Sequence, residues 1–176
     1  MMTTTNNDEA NNLISDNLFI TGDNILLFDS NISWLIKDFI ESDCIGQIFG
    51  PSGAGKSFIT LDIALTISTG INWCGNKVEK GAVLYLTGEG HIGIKRRIKA
   101  WHLFHHKPDI SLFNLSLSTI SFDDNAYSKI CKEGRNIEAK SNHKIKLIVV
   151  DTLNRHMIGD ENSTKEMTNF INLSDK

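Results

Sequence analysis

Gly50 to Ser57 reads GPSGAGKS. The stretch matches G-x-x-x-x-G-K-[ST], the pattern of a phosphate-binding loop. Its glycines let the backbone curl so that successive N–H groups point inward at phosphate oxygens. A helix opening directly behind the loop turns its positive end toward the same anion. Lys56 then brings a full positive charge to the β- and γ-phosphates, and Ser57 offers a hydroxyl to Mg²⁺. The nucleotide-binding set expected from the pattern is Gly50, Pro51, Ser52, Gly53, Ala54, Gly55, Lys56 and Ser57. A glycine-rich turn with an incidental lysine would read the same way in isolation. The flanks argue against it, because an apolar run precedes the loop and a helical pattern follows.

That preceding run is CIGQIF (Cys44 to Phe49), read as a buried strand feeding the loop. Behind Lys56, SFITLDIALTIS is apolar at nearly every turn, which marks a helix buried on most sides, with Gly70 as its stop. AVLYL (Ala82 to Leu86) is a second buried strand. GIKRRIKAWHLFHH places Ile94, Ile98 and Trp101 on one face and Lys95, Arg96 and Lys99 away from it, an amphipathic helix. ISLFNLSL (Ile110 to Leu117) reads as an extra strand, and NAYSKICKEGRNIEAK as a helix weakened by Gly134. IKLIVVD (Ile145 to Asp151) is continuous, β-branched and ends in a carboxylate. STKE (Ser163 to Glu166) has capping-box spacing and opens a last helix of about two turns. SWLIKDFI (Ser33 to Ile40) is a short element of mixed face. Strands alternating with helices, and apolar without period-two patterning, predict an α/β fold with a parallel sheet covered on both faces.

A phosphate loop binds nucleotide; hydrolysis also needs the metal held and the attacking water oriented. In an open parallel sheet, ligands sit at the carboxyl ends of the strands. Asp151 stands at such an end and has the form of a Walker B aspartate. Ser57 and Asp151 are therefore the expected Mg²⁺ pair. Glu89, just beyond a second strand, could accept a hydrogen bond from the attacking water; an exposed loop glutamate is the competing reading. The expected catalytic pair is Lys56 and Glu89.

Composition narrows the class. The chain has 176 residues, 40% hydrophobic and 22% charged, ordinary for a globular protein. Its net charge of −3 creates no strong overall field for nucleic acid or acidic lipid. Three separated cysteines, Cys44, Cys74 and Cys131, form no C-x-x-C pair. No signal-peptide pattern opens the sequence, and no apolar run approaches the ~18 residues of a membrane helix. These features fit a cytoplasmic protein with no membrane partner. Residues 1–17, rich in Asn, Thr and Asp, read as a disordered tail; residues 18–176 read as the domain. His91, His102, His105, His106 and His143 make no metal-binding pattern. NKVE (Asn76 to Glu79) lies too close to the loop to read guanine, which favours ATP. FDDN (Phe122 to Asn125) reads as a helix N-cap.

Together, GPSGAGKSF, VLYLTGEG, RRIKAW and LIVVDTLNRHMIGDEN resemble the RecA-like ATPases grouped with the plasmid replicative helicase RepA, including phage and plasmid members. The resemblance covers about Leu18 to Lys176. It implies a P-loop NTPase with a RecA-like three-layer fold and a mainly parallel sheet. It also implies ATP and Mg²⁺ as ligands, a homo-oligomeric, usually hexameric ring, and coupling of hydrolysis to movement on single-stranded DNA. Lys56 and Ser57 match the Walker A pair, Asp151 matches Walker B, and Glu89 matches the catalytic glutamate. Arg97 and Arg155 match arginine-bearing positions, with interface or sensing roles; a solvated basic face is a comparable account of Arg97.

The sequence departs from that pattern at its end. The resemblance implies a further strand past Walker B, lying between the Walker A and Walker B strands and bearing a polar sensor. NFINLSDK falls in the helix before it, so the domain is expected to be truncated after the Walker B strand. Unpaired strand edges would follow. Two other functions stay open at this point: a nucleotide-binding fragment without turnover, and a different P-loop enzyme such as a small-molecule kinase.

Overall fold

The computed structural model describes residues 19–26, 32–88, 90–159 and 163–174. The expected tail over 1–17 and the expected catalytic Glu89 lie outside the described residues. The chain divides into two units, Met1–Ser33 and Trp34–Lys176. In the first, helix α1 (Gly22–Ile25) is capped by Thr21, whose Oγ1 accepts a hydrogen bond from the Asn24 N–H at 3.3 Å.

The second unit contains β1 (Trp34–Ile36), β2 (Ile40–Glu41), α2 (Lys56–Thr69), β3 (Ala82–Thr87), α3 (His91–Phe104), β4 (Phe113–Leu115) and α4 (Asp124–Ser141). These are followed by β5 (Ile145–Asp151), α5 (Leu153–His156) and α6 (Thr164–Ser174). β3, β4 and β5 form a parallel sheet in the order β4-β3-β5. β3 is its centre, and all six of its residues are buried. A strand covered on both faces has no solvent side to alternate with, which is why AVLYLT is apolar without period.

The two faces of β3 feed two cores. Val83 and Tyr85 pack with Leu61, Ala64 and Leu65 of α2, and with Ile94 of α3. Leu84 and Leu86 pack on the opposite side with Ile130 of α4. Helix–sheet–helix layering is thus set by alternate residues of one strand. α2, apolar all round, is buried from Leu61 to Ser68 except Asp62. That one acid is satisfied: Asp62 accepts from the indole N–H of Trp73 at 2.8 Å and of Trp101 at 2.6 Å. The carboxylate thereby fastens α2 to α3 and to the segment before β3.

Most elements form where the sequence indicates. Gly134 does not break α4; it is buried, and its place opposite Leu84 and Ile145 leaves ordinary contact distances. Asp123 is the α4 N-cap, its Oδ1 accepting from the Ala126 N–H at 2.6 Å. α6 is longer than expected, eleven residues in place of about two turns. SWLIKDFI becomes an antiparallel hairpin, with Leu35 and Ile36 in the core.

One expectation fails. Cys44–Phe49 is not a buried strand; Ile45, Ile48 and Phe49 are exposed, and no ladder joins them. A strand needs hydrogen-bond partners along its backbone, and apolar content alone does not supply them. Among the described residues nothing pairs with the outer edge of β5, where Ile148 is 48% exposed. The run before the phosphate loop therefore reaches the loop as irregular, solvent-facing chain.

Candidate nucleotide site

The loop from Gly50 to Gly55 ends directly in α2, whose first residue is Lys56. Gly53 and Gly55 have φ of 80° and 84°. A Cβ at either would meet no atom within 4 Å. The backbone angle, and not crowding, reserves these positions for glycine. The Ala54 N–H donates to the Pro51 carbonyl at 3.2 Å, closing the turn. Lys56 folds back, its Nζ donating to the carbonyls of Gly50 at 2.7 Å and Pro51 at 3.0 Å. Such bonds in exposed surroundings contribute about 1 kcal/mol each. An arriving polyphosphate, with its full charges, competes readily for that ammonium.

Across the sheet, Asp151 ends β5 and is 8% exposed. Ser57 Oγ donates to Asp151 Oδ1 at 2.9 Å, joining residues 94 apart in sequence. Tyr85 Oη donates to Asp151 Oδ2 at 2.6 Å. Tyr85 Oη also stands 3.2 Å from Thr60 Oγ1, which itself lies 3.2 Å from the Lys56 carbonyl. Burial, and after it the bond to Asp151, push the Tyr85 hydroxyl far above its ordinary value. Tyr85 is therefore a permanent neutral donor that aims one oxygen of Asp151 and leaves the other to Ser57. The peptide between Asp151 and Thr152 is cis.

β3 and β5 end together: the Gly88 N–H donates to the Asp151 carbonyl at 2.7 Å. Arg97, on α3, lies over the Phe58 ring with its guanidinium carbon 4.6 Å from the centroid. Arg155 is exposed on α5. The structure thus brings Lys56, Ser57 and Asp151 to one end of the sheet, with Gly88 beside them. Glu89 follows Gly88 in sequence and falls outside the described residues.

The donor set suits a hard divalent cation. A serine hydroxyl and a carboxylate are oxygen ligands, and Mg²⁺ keeps several waters and binds through one or two carboxylates plus phosphate. Among the described residues no three His, Cys, Asp or Glu side chains converge on one point. Two oxygen donors, without a third His, Cys, Asp or Glu, match Mg²⁺ better than a protein-enclosed metal.

Sequence reading overlooked Tyr85, Thr60 and His156. The signal for Tyr85 was a phenol inside the apolar run AVLYL, on the same face as Val83. His156 stands five residues past Asp151, in a segment read for Asp151 and Arg155 alone; it is fully buried.

The AAA domain family model matches residues 20–176. The chain belongs to this family of P-loop ATPase domains. Searches of curated proteins and of solved structures return no match. No helix among the described residues is long and apolar enough to cross a membrane.

Proposed function

We propose that this chain binds and hydrolyses ATP as the motor domain of a replicative-helicase-like ATPase of the RepA group. The single observation that carries the nucleotide reading is the Ser57–Asp151 hydrogen bond, which joins the glycine loop to the end of β5. The finer reading, a homo-oligomeric ring acting on single-stranded DNA in the cytoplasm, rests on the resemblance of GPSGAGKSF, VLYLTGEG and LIVVDTLNRHMIGDEN to that group.

In this reading the loop from Gly50 to Gly55 wraps the phosphates with backbone N–H groups, and the α2 N-terminus adds its dipole. Lys56 leaves the Gly50 and Pro51 carbonyls and neutralises the terminal phosphates. Ser57 and Asp151 hold Mg²⁺, which when bound offsets charge on the β- and γ-phosphates. Tyr85 keeps Asp151 oriented. Glu89 orients the attacking water and accepts its hydrogen bond. Arg97 and Arg155 are candidates for sensing or interface contacts.

The test is Mg·ATP turnover by the purified chain, with Lys56→Ala and Glu89→Gln in parallel and single-stranded DNA added in a second series. Expected are turnover in the wild type, greatly weakened binding and loss of turnover in Lys56→Ala, and binding without turnover in Glu89→Gln. Full turnover in Glu89→Gln would remove that residue from the mechanism. Turnover indifferent to single-stranded DNA would count against the helicase reading while leaving the ATPase intact.

A further inference from the structure

Asp151 has two carboxylate oxygens, and the fold treats them differently. Oδ1 accepts from Ser57 Oγ at 2.9 Å, in the first turn of α2. Oδ2 accepts from Tyr85 Oη at 2.6 Å, a side chain with no exposed surface. An ionised carboxylate only accepts, so the phenol is the donor, and such charge-assisted bonds are the short and strong ones.

Strand register produces this contact. Across β3 and β5, Tyr85 pairs with Val149 and Thr87 with Asp151. Alternate residues share a face, so Tyr85 and Asp151 are diagonal neighbours on one face of the sheet, within reach of a long side chain. A slip of one residue would turn the phenol to the opposite face. The ring itself is fixed: it belongs to the core beneath α2, with its centroid 5.7 Å from that of Phe113. The main chain at Asp151 is fixed as well, its carbonyl accepting from the Gly88 N–H at 2.7 Å. The carboxylate cannot rotate without breaking its bond to Tyr85. One oxygen is committed to the core, and the other stands beside the glycine loop.

That asymmetry bears on the cation. Ca²⁺ gathers about six to eight oxygens in flexible geometry, and a carboxylate can give it both of its own. Mg²⁺ is smaller, keeps several waters and needs few protein oxygens in strict octahedral array. Discrimination between the two follows from the number of ligands on offer and their freedom to move. A carboxylate with one oxygen committed offers a single oxygen, held rigidly.

We propose that Tyr85 is a positioning residue that sets the metal preference of this site. By occupying Asp151 Oδ2 it confines the carboxylate to contact through Oδ1, and so favours Mg²⁺ over Ca²⁺. It acts through Asp151 alone. The inference rests on the ATPase reading above and adds to it the choice of cation.

The test is calorimetric titration of ATP into the wild type and Tyr85→Phe, with Mg²⁺, with Ca²⁺ and with chelator, each metal at a concentration that saturates the nucleotide. Tyr85→Phe keeps the ring and removes only the hydroxyl. The wild type is expected to bind ATP more tightly with Mg²⁺ than with Ca²⁺. In Tyr85→Phe the ratio of the two affinities is expected to fall about 10-fold, the order of one hydrogen bond to a charged group, while affinity in chelator stays at the wild-type value. A ratio unchanged in Tyr85→Phe that binds ATP would overturn the proposal; equal losses with and without metal are the signature of a merely structural role. Should Tyr85→Phe fail to fold, the wild type still decides: equal affinity with Mg²⁺ and Ca²⁺ overturns the proposal by itself. Failure of the wild type to bind ATP under all three conditions is a separate result, which refutes the nucleotide reading and takes this inference with it.

Discussion

Lys56, Ser57, Tyr85 and Asp151 are four side chains on three elements, and each has a different dependence on the others. Among the described residues Lys56 is held by two exposed carbonyl contacts. Removing it should leave the fold intact and cost the charge-assisted phosphate bond, about 1.5–3 kcal/mol, or about 10- to 100-fold in ATP affinity. Unchanged affinity in Lys56→Ala by titration calorimetry would contradict the loop's assigned role. Tyr85 behaves oppositely, being buried and hydrogen-bonded to Asp151. Its raised value means that the folded protein holds the proton more tightly than the unfolded chain does. The stabilisation it gives is complete below the ordinary phenol value of ~10 and is lost as pH rises through and above it. Tyr85→Phe should therefore melt lower than wild type at neutral pH, with the gap shrinking above pH ~10. A gap independent of pH would show that the hydroxyl is not the cause. Lys56 and Asp151 were legible from sequence because their types and places follow from phosphate chemistry. Tyr85 was not, since its partner lies 66 residues away and only the strand register brings them together.

The elements differ in how much of their placement is local. α2, β3, α4 and β5 were readable because each carries its own signal: buried periodicity, capping aspartate, β-branched run. Cys44–Phe49 has the apolar run of a strand and joins no ladder among the described residues, and pairing is a property of the sheet, not of the segment. Two substitutions examine the local devices. Asp123→Ala removes the α4 N-cap and should cost about 1 kcal/mol of unfolding free energy; a denaturant midpoint equal to wild type would mean the cap is idle. Gly88→Ala and Gly93→Ala form a contrasting pair. A Cβ at Gly88 overlaps Arg155, whereas one at Gly93, within α3, meets nothing within 4 Å. Gly93→Ala should raise stability by up to about 1 kcal/mol, and Gly88→Ala should lower both stability and turnover. Equal behaviour of the two would refute the close approach at the end of β3.

At the scale of the molecule, the three-layer arrangement delivers the ends of β3 and β5 to the same side as the glycine loop, which is where an α/β sheet receives ligands. The α/β fold with its parallel sheet agrees with what the alternation of strands and helices indicated, and the AAA family assignment agrees with the ATPase class that the glycine loop and its accompanying motifs resemble. The same view exposes a liability. Among the described residues no strand pairs with the outer edge of β5, and Ile148, Ile45, Ile48 and Phe49 are exposed. Unpaired edges with apolar side chains promote association. The 176-residue chain should self-associate with rising concentration, and Ile148→Lys should shift that association to higher concentration in sedimentation velocity. The account's central claim is that the loop and Asp151 form one Mg·ATP site. Its most direct test is calorimetric titration of ATP into the wild type and Asp151→Asn, each with Mg²⁺ and with chelator. The account predicts wild-type binding that Mg²⁺ strengthens, and Asp151→Asn binding that Mg²⁺ no longer affects. Wild-type affinity indifferent to Mg²⁺, or a Mg²⁺ effect undiminished in Asp151→Asn, would contradict it.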